Sequence, residues 1–245
     1  MASLITLFME AVMQVVRRAN ERGHYRNAWL NSKHTFSFGE YYDPKHMGVS
    51  VLRVINDDKI TPGAGFPTHP HQNMEIVSYV LEGELAHKDS MGNGSVIRPG
   101  DVQRMSAGRG VTHSEFNPSK SNGTNFLQIW LMPNKNGTKP DYAQKYYSPE
   151  EKQGKLKLLL SPDGQGDSLS AHTDALMYGS LINKGEEVTF KPEANRVVYV
   201  HVATGRLEIN GEKLNGGDGI TLNAVKEVNL VGTDRAEILL FDLPK

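Results

Sequence analysis

At 245 residues, with 38% hydrophobic and 22% charged side chains, the chain can build one large domain or two small ones without covalent staples. A formal net charge of −1 provides no overall attraction for nucleic acid or an anionic membrane. The absence of Cys removes disulfides, thiolate nucleophiles and sulfur-ligated metals together, so any metal must be held by nitrogen and oxygen. It also accords with a cytoplasmic location.

Leu4, Leu7, Phe8, Ala11, Val12 and Val15 recur at helical spacing, which predicts a short amphipathic helix over residues 1–16. Its first basic residue is Arg17 and Glu10 interrupts the apolar run, a pattern unlike a secretory signal. Residues 1–15 are therefore read as an extension, with Met13 as an alternative start. No segment offers the roughly 20 apolar residues of a membrane-spanning helix.

From Gly48 onward the sequence reads as strands and turns. The stretch 49–55 is rich in β-branched residues, and Asn56-Asp57-Asp58 reads as a turn cluster after it. Residues 74–81 form the next predicted strand, and Glu82-Gly83-Glu84 turns the chain into Leu85-Ala86-His87. Further turn signals stand at 90–94 and at Arg98-Pro99-Gly100-Asp101. The apolar strand 126–132 ends at Pro133, and 134–141 is a polar stretch suited to a linker. Short strands at this spacing, without long helical patterns between them, indicate a β-barrel or sandwich.

The pattern then restarts. Lys191-Pro192-Glu193 lies 122 residues after His69-Pro70-His71, and Gly205 lies 122 after Gly83. Gly217-Asp218 answers Gly100-Asp101 with a five-residue indel. This is the signature of an internal duplication, hence an all-β chain of two similar barrels. In the second copy Lys191 and Glu193 replace the two histidines, and no His stands near Leu230. A protonated lysine cannot ligate a metal, so the second barrel is expected to be metal-free.

His69-Pro70-His71 and His113-Ser114-Glu115 carry the chemistry. On a strand, residues i and i+2 share a face, so each pair can aim both side chains at one point. Two such strands side by side would bring three imidazoles and a carboxylate to one ion. That donor set suits Fe(II), Mn(II), Co(II), Ni(II), Cu(II) or Zn(II). Glu75 is another carboxylate close to the first pair. His24, His34, His46, His87, His172 and His201 lack such pairing and are left structural or unassigned, although His34 sits in an aromatic block that could line a pocket.

The run from Gly63 through His69, His71 and Glu75 to Gly83 resembles the first cupin motif, with one extra residue before its last Gly. Gly110-Val111-Thr112-His113 followed by Asn117 is a partial second motif, with Gly108 where cupins usually carry Pro. The displacement of the carboxylate to Glu115 resembles the pirin family of the cupin superfamily. So do the blocks Arg18–Gly23, His34–Phe38, Leu52–Asp58, His87–Gly92 and Met105–Gly110, and the bacterial, quercetinase-like branch is the most similar.

The resemblance implies a bicupin: residues 16–136 as a metal-binding barrel and 137–245 as a barrel without metal. It implies one iron, held by His69, His71, His113 and Glu115, with Glu75 structural or supporting the ligands. It also implies a quercetin 2,3-dioxygenase type of activity on a flavonol and O2, opening the ring with loss of carbon monoxide, with Glu115 as catalytic base. The alternative it implies is a non-enzymatic, iron-bearing, redox-responsive regulator that binds transcription factors or metabolic enzymes. A metal-storage or isomerase-like cupin is a third reading. The chain is expected to be a monomer with no direct nucleic-acid contact and no membrane association.

Overall fold

The structure is a computed structural model that describes residues 13–245. Its first strands are β1 (Met13–Arg17), β2 (Gly23–Arg26), β3 (Leu30–His34), β4 (Leu52–Ile60), β5 (Gly65–His71) and β6 (Glu75–Glu82). They are followed by β7 (Leu85–Asp89), β8 (Gly94–Ile97), β9 (Asp101–Ser106), β10 (Val111–Phe116), β11 (Thr124–Leu131) and β12 (Asp141–Tyr146). The order β12-β9-β6-β11-β4-β3-β2 forms a seven-stranded sheet, and β5-β10-β7-β8 forms a four-stranded one. Facing each other, the two sheets make the first barrel of an all-β, bicupin architecture.

The second half repeats the plan. Its seven-stranded sheet runs through Gly219–Asn223, Arg196–Thr204, Ala236–Pro244, Leu176–Ile182, Lys157–Ser161 and Leu169–Ser170, with β1 on the edge. Strand pairing thus does not follow a single cut of the chain. β1 lies antiparallel to Gly219–Asn223, while β12 lies beside β9.

That pairing corrects two expectations. Met13–Val16, the end of the predicted helix, is strand, because Val15 and Val16 are β-branched and complete an open sheet edge some 200 residues away. The rest of that helix, residues 1–12, lies outside the described residues. Asn56-Asp57-Asp58, read as a turn, is the middle of β4 and is paired on both sides, by β3 and β11. The turn falls earlier, where Val49 and Leu52 bridge. Among the described residues the only α-helix is Pro149–Lys152, and no helix is long and apolar enough to cross a membrane.

Alternation decides what each face buries. On β6, Val77 and Tyr79 pack with Leu127, Ile129, Leu159, Met177, Leu239 and Phe241 in an apolar core shared by both halves. Ile76 and Val80, on the opposite face, join two smaller clusters inside the first barrel. Between those clusters runs a polar row in direct register: Asn56 opposite Gln128, Gln128 opposite Ser78, and Ser78 opposite Gln103. In the second barrel the same four places are Tyr178, Leu240, Val200 and Ile220. That interior is continuously apolar. Burying amides and hydroxyls in place of aliphatic side chains costs stability unless each finds a partner, so the first barrel is built around something polar.

Candidate metal centre

The site forms where β5 and β10 pair. His69 stands opposite His113, and Val111 opposite His71. Past His113 the register shifts, so that two residues of β10 span three of β5 and Glu115 stands opposite Phe66. Such irregularities re-aim side chains at functional sites. The close approach depends on Gly65, where a Cβ would sit 2.2 Å from the Glu115 carbonyl oxygen and 2.5 Å from the Phe116 Cα.

The outcome is a triangle of imidazoles. Ring centroids are separated by 4.5 Å for His69 and His113, and by 4.8 Å for each of the other two pairs. One nitrogen from each lies within 4.8 Å of the others. Backbone and side-chain contacts fix which nitrogens face inward. His69 Nδ1 lies 2.8 Å from the Pro67 carbonyl oxygen and donates to it, leaving Nε2 as the free donor atom. His113 Nε2 is buried with no hydrogen-bond partner. Burial and the neighbouring His69 lower the His71 pKa to about 4. Burial, reinforced by His69 and His71, takes His113 to about 2. Neutral His71 and His113, the latter with an orphaned lone pair, beside the free Nε2 of His69, are what a divalent metal of borderline softness requires, and the donor set fits one.

Behind His113 stands a residue that sequence reading left unassigned. His87 Nδ1 lies 3.5 Å from His113 Nδ1, and His87 Nε2 donates to Asp89 Oδ2 at 3.1 Å. Tyr142 stacks on the His87 ring with centroids 5.0 Å apart. With Asp89 holding the Nε2 proton, His87 Nδ1 can accept from His113 and direct the His113 Nε2 lone pair inward. Metal-bound imidazoles are commonly oriented by such partners. The faint signal was the spacing of His87 and Asp89, another i, i+2 pair on β7.

Glu115 is not part of the converging triad. It is buried, and its carboxylate accepts from Ser78 Oγ at 3.0 Å and Gln128 Nε2 at 2.7 Å, both in the polar row. Burial raises its pKa, while the two hydrogen bonds pull the other way. Glu75 is excluded from the site by alternation: it shares a β6 face with Val77 and Tyr79, and its Oε2 accepts from Ser106 at 2.7 Å. In the second barrel, strand register places Val188 opposite Leu230 where His69 meets His113. Lys191 and Glu193 fall beyond the strand Glu187–Phe190, a shift from the 122-residue offset of the sequence repeat.

A cavity of about 310 Å³ opens onto the triad. Leu30, Phe38, Phe66 and Trp130 give it apolar walls, and His69, His71, Glu115 and Gln128 also line it. Trp130 meets the His71 ring edge-on at 5.0 Å. His34, placed by the sequence in an aromatic block that could line a pocket, does line this cavity, next to Asn56 and Asp58. Its pKa is lowered to about 4 by burial, so the ring is neutral. The other unassigned histidines stay apart: His24 contacts Asn31, and His201 is buried in the second barrel's large sheet.

Comparison with known proteins gives a consistent result. Residues 15–131 match the family described as Pirin, and residues 158–243 match the quercetinase C-terminal cupin domain. The quercetin 2,3-dioxygenase of Escherichia coli K12 is 47% identical over 232 residues, covering 95% of this chain and 99% of that protein. A pirin-like protein of Caulobacter vibrioides is 39% identical over 217 residues, covering 88% of this chain and 93% of that one. Among solved structures, the bacterial pirin YhhW from Escherichia coli in complex with nickel(II) is 46% identical. It superposes with a TM-score of 0.90 over 95% of this chain and 99% of that one. By its fold, its three-histidine centre and its similarity to these relatives along nearly its whole length, this chain belongs to the pirin family.

Proposed function

We propose that the protein is an iron(II)-dependent dioxygenase of the quercetin 2,3-dioxygenase type, with the first barrel, β2 to β12, as the catalytic unit and the second barrel, which β1 completes, without metal. One observation carries this reading: two imidazoles of the triad, His69 and His71, open directly onto a largely apolar cavity. A metal buried under protein on every side would suit a regulator better. The name of the Escherichia coli relative supports the same reaction class.

His69, His71 and His113 would hold the metal, with Glu115 as fourth ligand once its side chain turns from the polar row toward the triad. The metal would supply a Lewis-acidic, redox-active centre that lowers the proton affinity of a bound hydroxyl. Phe38, Phe66 and Trp130 give the aromatic rings of a flavonol flat apolar surfaces to lie against. Glu115 is a base lining the same cavity as His69 and His71, and its burial keeps its proton affinity above that of a solvated carboxylate, which suits it to accept the 3-hydroxyl proton. Until a metal draws it away, that carboxylate is held by Ser78 and Gln128. The reaction consumes one flavonol and one O2 and yields a ring-opened ester and carbon monoxide.

The test is oxygen uptake together with loss of the flavonol absorbance, using quercetin and protein loaded anaerobically with iron. A Glu115→Gln variant of equal metal content is the control. Turnover that collapses in the control supports the reading. A fully metallated wild-type protein without turnover overturns it.

A further inference from the structure

The cavity has two unlike walls. The four-stranded sheet contributes His69 and His71 of the triad, with Glu115. The seven-stranded sheet contributes His34, Asn56 and Asp58, adjacent on β3 and β4, with His34 directly opposite Asn56 and Ser32 opposite Asp58. Each of the three residues is at most 6% exposed. Each presents an atom without a partner: His34 Nδ1, Asn56 Oδ1 and Asp58 Oδ1. Ser32 hydrogen-bonds the Asp58 carboxyl, so that side chain is fixed, with Oδ1 left over. Gln128, next along the row, is already committed to Glu115.

Unpaired buried polar atoms are rare in native proteins and call for a cause. These three share one cavity, on a wall whose counterpart in the second barrel carries Tyr178 at the place of Asn56. Packing therefore does not demand them. Asn56 Oδ1 can only accept, Asp58 Oδ1 can only accept above about pH 7, where its carboxyl is ionised, and neutral His34 can accept as well. A ligand that fills the cavity can supply the donors they lack.

We infer that the β3–β4 wall is a hydrogen-bond-accepting subsite, selecting aromatic ligands that carry a free hydroxyl remote from the oxygen held at the histidine triad. Such a ligand is gripped at two points, one on each sheet, with its rings between Phe66 and Trp130. Trp130 Nε1, an unpartnered donor in the same cavity, is available for a ligand carbonyl. An analogue whose remote hydroxyls are methylated leaves the acceptors unpaired and should bind about tenfold to a hundredfold more weakly. The inference rests on the flavonol reading only for its choice of probe.

The experiment uses iron(II)-loaded protein under strict exclusion of oxygen. Isothermal titration compares quercetin with a flavonol that keeps the 3-hydroxyl but carries methoxy groups at every other hydroxyl position. Wild type should prefer quercetin by at least tenfold. Asn56→Leu should reduce that preference to within about threefold, one acceptor having been lost. Asp58→Asn, close in shape and therefore the safer variant for folding, introduces an amide donor and should raise affinity for the methoxy ligand. Circular dichroism and metal content show that each variant is folded and loaded.

Equal affinity of wild type for the two flavonols overturns the inference. So does an unchanged preference in both variants, or failure of both flavonols to bind. Oxygen is admitted afterwards to the same samples. Selective binding without turnover removes the proposed reaction and leaves the subsite standing, whereas turnover without selectivity does the reverse.

Discussion

Replacing Asp58 by Asn reports on the stability that the cavity wall costs. Burial pushes the Asp58 carboxyl up to about 7 from 3.8, opposed by its hydrogen bond to Ser32 and reinforced by neighbouring Asp57. Because the folded-state pKa is raised, the fold favours the protonated acid. This carboxyl therefore disfavours the fold progressively as pH rises from about 4 through about 7, and the loss is complete above that. The full penalty has a ceiling on the order of 4 kcal/mol, which relaxation and water penetration reduce. Roughly 2–3 kcal/mol of that ceiling falls between pH 5 and pH 8. Asparagine carries no charge at any of these values.

Urea unfolding of both proteins in the presence of a chelator, at several pH values, isolates the effect. Titration of the triad is common to both and cancels in the difference. The variant should gain on wild type steadily between pH 5 and pH 8. A difference that stays constant within about 0.5 kcal/mol over that range would refute the assignment of Asp58 as a desolvated acid.

Three further outcomes follow from the geometry. His113→Ala should lose most of its bound metal by elemental analysis, and retained stoichiometric metal would exclude the triad as the site. His87→Ala removes the group behind His113 Nδ1 and should weaken metal binding about 10- to 100-fold in a chelator competition. Unchanged affinity would make His87 a packing residue only. Gly65→Ala sets a methyl group 2.2 Å from a backbone oxygen that cannot rotate away. Overpacking of this kind costs about 1–3 kcal/mol, and each kcal/mol lowers Tm by roughly 2–4 °C in a domain of this size, so calorimetry that shows no decrease would contradict the β5–β10 register.

The contrast between what could and could not be read from sequence follows the range of each interaction. His69 with His71, and His113 with Glu115, are neighbours in sequence, and alternation on a strand is a local rule. The metal centre was therefore visible before any pairing was known. Glu75 needed knowledge of which β6 face looks inward, and the apolar company of Val77 and Tyr79 settles that only in three dimensions. His87 meets His113 across 26 residues, through strand pairing no local pattern records. Asn56 and Asp58 looked like a turn because Asn and Asp favour turns wherever nothing else is known. Their place in mid-strand becomes intelligible only with Gln128 and Ser78 beside them. Val15 fitted a helical period by chance, since the true partner of its strand, Gly219–Asn223, lies at the other end of the chain. The repeat was detectable from its glycine turns, but its offset slipped where Val188 rather than Lys191 takes the place of His69.

The most direct test of the metal centre is an anomalous difference map from crystals of the iron-loaded protein, measured at the iron edge. The account predicts a single peak bound by His69 Nε2, His71 and His113 Nε2, with a Glu115 oxygen drawn from Gln128 to within about 2.2 Å of it. A peak elsewhere would contradict the site, and a peak at the triad with Glu115 still held by Ser78 and Gln128 would contradict its role as fourth ligand.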